Sequence, residues 1–178
     1  MTDCEGWEQK LELPRNDVED MYLAKCMFLD MRRLMESNIA LQRRDYFHIY
    51  LRQTYVAHIS TLLRRTLSRN SQSISLLKLL DSVESEIKGS KSEVRADIAD
   101  LEARALSCKD FFDKSVAHLD KIPPTTIPKY DEIHSTIDLL VAICQKYTLL
   151  LTGNKWAPDK REVGDEWLTI FDGAWYEP

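Results

Sequence analysis

The chain is poor in residues that interrupt a helix, with 5 glycines and 6 prolines among 178 positions. Most of these breaks fall between long segments whose apolar residues recur at helical period, so an all-α fold is expected. Long apolar runs are missing as well. No stretch approaches the roughly 18 uninterrupted apolar residues of a membrane span, and the opening MTDCEGWEQK is acidic without an apolar core. Both observations point to a cytosolic protein with no membrane partner. The 4 cysteines, Cys4, Cys26, Cys108 and Cys144, form no CxxC pair, and three fall in segments of helical period. They read as reduced packing residues, with disulfides as the alternative. Positive charge is in deficit: 24 Lys and Arg against 29 Asp and Glu give a net charge of -5. That argues against a nonspecific polyanion binder while leaving room for a local basic face. There is no internal repeat, Walker loop, dinucleotide fingerprint, HExxH or Cys/His zinc spacing. No cofactor and no resident metal is therefore expected.

What the sequence does contain is periodicity. With 178 residues and 44% hydrophobic content it is long enough for one buried core and short for two. One domain is expected: a bundle of five to six helices over 1–153, with its core from about 17 to 153, then an aromatic tail over 154–178. Pro14, followed by Asp17, Glu19 and Asp20, opens a first helix through Val18, Met21, Tyr22, Phe28, Leu29 and Leu34. A second runs from about Asp45 to Leu67 through Phe47, Leu51, Val56, Ile59 and Leu63. The polar run Ser68 to Ser73 is a loop, and Ser75 caps a third helix along Leu76, Leu80 and Val83, closed by Gly89. Ser90 and Glu93 make a capping box for a fourth helix running toward Phe111. Ile122 to Pro128, with its paired prolines, is a non-helical connector. A last helix follows from Tyr130 through Ile137, Leu140 and Cys144 and stops at Gly153. The tail holds 3 of the 4 tryptophans, too aromatic a composition for a disordered extension. It is expected to pack on the bundle or on a second subunit.

Few residues suggest chemistry. His48 and His58 fall on different helix faces, and a joint metal site would need ligands that cannot be identified. His134, in the first turn of the last helix, reads as an exposed polar residue. The arginines at 43, 44, 52, 64 and 65 read first as solvated helix surface and second as an RNA groove. The informative segment is Cys108 to Lys121, CKDFFDKSVAHLDK, where Lys114 and His118 stand one turn apart and Asp120 follows near the chain's exit into the connector. Its bland reading is a core strip of Val116, Ala117 and Leu119 with a partly buried histidine.

With Phe112-Asp113-Lys114-Ser115-Val116-Ala117-His118-Leu119-Asp120 before a proline connector and a closing helix, the chain resembles the AbiU-type abortive-infection branch of the HEPN superfamily. Leu62 to Leu67 and Ser73 to Leu80 look like that family's second helix, polar loop and third helix, and the resemblance spans about 17–153. It implies a helical bundle of a prokaryotic defence or toxin–antitoxin system, in many members a metal-independent ribonuclease in which two protomers form one cleft. RNA, a second copy of the chain, and an antitoxin or other protein are the partners it implies. On that pattern His118 is the acid–base residue, Asp113 its polar neighbour and Lys114 a phosphate contact. The motif's arginine is replaced by Phe112, which neither donates a hydrogen bond nor neutralises a phosphate. Lys114, or Arg64, Arg65 or Arg69 from the second helix and its loop, would have to supply the cation on the substrate side, with Asp120 nearby. The alternative is a catalytically inactive bundle that binds RNA or a protein partner. A helical scaffold without a nucleic-acid role is a third reading.

Overall fold

The computed structural model describes residues 4–38, 42, 45–86, 91–111 and 127–159. Across them the chain forms five helices and no strand: α1 (Cys4–Ser37), α2 (Asp45–Thr66), α3 (Leu76–Glu86), α4 (Lys91–Phe111) and α5 (Tyr130–Thr152). The fold is an all-α helical bundle, and the polar loop after α2 and the stop at Gly153 fall where expected, while Gly89 and residues 122–126 of the proline connector lie outside the described residues.

The exception is the start of α1. Pro14 does not open this helix; it lies inside one that begins at Cys4. A proline in mid-helix removes one hydrogen bond and crowds the preceding turn, at a cost of about 3 kcal/mol. Trp7 and Leu11, both buried, extend the stripe of Pro14, Val18 and Met21 backward at steps of four and three. Burying two such side chains contributes about 1.5–3 kcal/mol each, enough to offset the proline. Arg15 also reaches back across the break to Glu8. The stripe then continues through Phe28, Met31 and Met35, so one face of a 34-residue helix feeds the core along its length.

Helix α1 is the axis of the bundle. It packs most extensively along α5, then against α2 and α3, while α4 closes the far side against α5 and α3. The shared core includes Met21, Ile59, Leu63, Leu80, Leu101, Ile137 and Tyr147, all buried. Caps define the ends. The Ser75 hydroxyl accepts the Lys78 N–H at 3.3 Å as α3 begins, and its own proton goes to the Ser68 carbonyl, which ties the polar loop to the helix. The Lys129 N–H donates to Glu132 at 2.9 Å at the head of α5. At the other end Gly153 takes φ 75 and donates to the Leu149 carbonyl at 3.0 Å, a left-handed cap that an L side chain would strain. Past it, Trp156 packs half-buried against the core, and the Asp159 N–H donates to Glu19 on α1 at 2.8 Å.

Candidate functional site

The segment with the HEPN-like motif falls largely outside the described residues: Phe112, Asp113, Lys114, His118 and Asp120 are among positions 112–126. Immediately before it, Cys108 is buried and Phe111 packs against the core, so the last described turn of α4 is anchored on the bundle. After it, Pro128 is buried ahead of α5.

The three arginines proposed to replace the missing cation are all described. Arg64 is exposed near the end of α2. Arg65, its neighbour, reaches α1 and binds both carboxylate oxygens of Asp17, one of them through Nε at 2.6 Å. Asp17 is only 1% exposed, so this guanidinium neutralises a buried charge and is held protonated by the bond it makes there. Arg69, in the α2–α3 loop, spans Asp81 on α3 at 3.1 and 3.2 Å and also meets Glu102 on α4. Two of the three candidates therefore knit helices together. Nothing in the sequence flagged this, because both pairings join residues far apart in the chain.

A different cluster lies between the C-terminal half of α1 and the N-terminal half of α2, against the first turn of α5. Phe28 stacks on Tyr55 at 4.2 Å and on Tyr130 at 4.9 Å, and His134 meets all three rings at 6.0–6.3 Å. His134 is therefore not the exposed polar residue its position suggested; it is 9% exposed, and its Nε2 finds no hydrogen-bond partner among the described residues. The first turn of α5 faces this aromatic cluster because Ile133, Ile137 and Leu140 turn the same side inward. Burial pushes the His134 pKa down, helped by Lys25 and Arg32, against the upward pull of Asp131 and Asp138. Tyr55, also buried, has a hydroxyl without a partner among the described residues, and burial drives its pKa up. Over this cluster opens a cleft of about 300 Å³, with Arg32 and Glu36 of α1 and His48 and Arg52 of α2 on its sides.

Cys26, Cys108 and Cys144 form no disulfide among the described residues, and burial pushes Cys144 up to about 12, where it stays a protonated packing group. Among the described residues no three His, Cys, Asp or Glu side chains gather as metal ligands would. No helix among them is long and apolar enough to cross a membrane. No family model, curated protein or solved structure matches the chain. What defines its class is therefore the fold itself, an all-α bundle organised around one long helix.

Proposed function

We propose that this chain is a cytosolic, HEPN-like bundle of a prokaryotic defence or toxin–antitoxin type, and that it works by binding rather than by cutting RNA. One observation carries the choice. Phe112 stands where the motif's arginine belongs, and two of the three arginines that are candidates to replace it, Arg65 and Arg69, are engaged in ion pairs between helices. Transesterification through a 2′-hydroxyl needs a fixed cation at the phosphate as well as an acid–base group, and His118 alone supplies only the second. The net charge of -5 and the exposed stripe of Tyr46, Ile49 and Tyr50 on α2 favour a protein partner, an antitoxin-like chain or a second copy, over bare RNA.

The ribonuclease reading keeps one specific support, the spacing of Lys114, His118 and Asp120. A single experiment separates the two. Labelled tRNA and mRNA are incubated in EDTA with the wild-type protein and with His118→Ala and Phe112→Arg variants. The binding reading expects no cleavage by the wild type and a gain only in Phe112→Arg. Cleavage by the wild type that disappears in His118→Ala would establish a ribonuclease, and Lys114 or Arg64 would then be the cation to test.

A further inference from the structure

The cleft between α1 and α2 has no part in that reading, and it draws nothing from residues 112–120. Its floor is apolar: Phe28 and Met35 are buried and Leu51 is half-buried. Phe28 packs against the rings of both Tyr55 and Tyr130, which holds the floor in place. Above it stand two exposed arginines from facing helices, Arg32 and Arg52. Both lie near Tyr130, whose phenol is raised by burial and pulled back by Arg52 and Arg32.

The charges in this cleft are poorly balanced. Arg32 has Glu36 one turn on, at 3.6 Å and with both side chains well exposed, a pairing that is weak in water. Arg52 has no carboxylate partner among the described residues. Elsewhere the fold treats arginine differently: Arg15, Arg33, Arg65, Arg69, Arg95 and Arg104 each face a carboxylate at bonding distance. Two guanidiniums sharing one cleft repel each other unless something anionic sits between them.

We propose that this cleft binds a small phosphorylated ligand with a planar apolar body, the phosphate between Arg32 and Arg52 and the body on Phe28, Met35 and Leu51. A carboxylate is satisfied by the fork of one guanidinium. A phosphate monoester carries nearly two negative charges and three acceptor oxygens, enough to engage arginines on two separate helices. A volume of about 300 Å³ lies at the small end of ligand pockets, which suits one nucleotide-sized body. Glu36, on the rim, is placed to accept a hydrogen bond from an amino or hydroxyl group of that body.

The test is isothermal titration of the full chain at low salt with adenosine 5′-monophosphate, beside adenosine, inorganic phosphate and adenosine 5′-carboxylate. The monophosphate should bind saturably at one site, with each of the other three at least about tenfold weaker. Arg52→Gln and Arg32→Gln, at exposed positions where the fold is not at stake, should each lower affinity by about tenfold or more. Leu51→Trp should abolish binding by filling the floor while leaving both charges in place. The proposal is overturned if the monophosphate gives no saturable binding or if inorganic phosphate matches it, which would reveal only a charged surface. It is equally overturned if the carboxylate matches it or if all three variants bind as the wild type does.

Discussion

His134 and Tyr55 bring two polar atoms into an aromatic cluster that offers them no partner. For His134 the consequence is a dependence on pH whose sign follows from its surroundings. Its pKa in the folded chain lies below the ordinary 6.5, first through burial and then through Lys25 and Arg32 on α1. As pH falls through 6.5 the unfolded chain takes up a proton that the folded chain refuses, so stability drops and levels off only below the folded value. One proton gives a slope of at most about 1.4 kcal/mol per pH unit. His134→Phe should flatten the stability–pH curve between neutrality and pH 5 by some part of that slope, read by urea titrations at each pH. Identical slopes for the two proteins would remove His134 from the account. For Tyr55 the expectation is simpler. Tyr55→Phe deletes a buried hydroxyl with no partner among the described residues while keeping the ring on Phe28, so it should leave stability unchanged or raise it by about 1 kcal/mol. A loss above about 1 kcal/mol would show that the hydroxyl is satisfied after all.

Helices were the level at which the sequence was most legible. Apolar spacing placed α2, the heads of α3 and α4, and α5 nearly at their observed bounds, because the stops at Ser68 and Gly153 act through the backbone of the residues themselves, while Gly89 and residues 122–126 of the proline connector lie outside the described residues. The head of α1 was not legible. Pro14 is a local signal, whereas the burial of Trp7 and Leu11 that overrides it depends on the helices packed alongside. Trp7→Ala should accordingly cost about 3 kcal/mol or more in chemical denaturation, the range for emptying a large buried site. A cost under about 1 kcal/mol would mean that the first turns are dispensable. Pairings between helices were invisible for the same reason. Arg65 reads as surface charge on α2, yet its partner Asp17 is buried 48 positions earlier on α1. Arg65→Met should destabilise by about 2–3 kcal/mol, below the 3–5 of a fully buried pair because the arginine is half exposed. Adding Asp17→Asn should restore most of that loss. Additive losses in the double variant would show that the two residues do not act as a pair.

At the scale of the whole molecule, the distribution of charge bears on function more than its sum does. The net of -5 conceals 24 basic residues, but arginines and lysines across the bundle are drawn into bridges between helices. Lys25 holds Asp138 of α5 at 2.5 Å, Lys146 holds Asp97 of α4 at 2.6 Å, and Arg95 holds Glu84 of α3 at 2.5 Å. Each exposed pair contributes little to stability, on the order of 0–1 kcal/mol. Together they draw much of the described positive charge away from a phosphate backbone. A chain that cleaved or tightly held RNA by its own surface would release many counterions on binding. This one should release few. For a single-stranded RNA the logarithm of the binding constant falls with the logarithm of salt at about -0.7 per phosphate neutralised, so two or three contacts give a slope no steeper than about -2. Fluorescence anisotropy of a labelled RNA across a salt series measures that slope directly. A value near -5 would require about seven phosphate contacts. That is more than Arg32 and Arg52 can make, so further cations would have to take part, from exposed lysines such as Lys91, Lys129 and Lys155, from outside the described residues or from a second copy of the chain, and the binding-without-cleavage reading would lose its electrostatic basis.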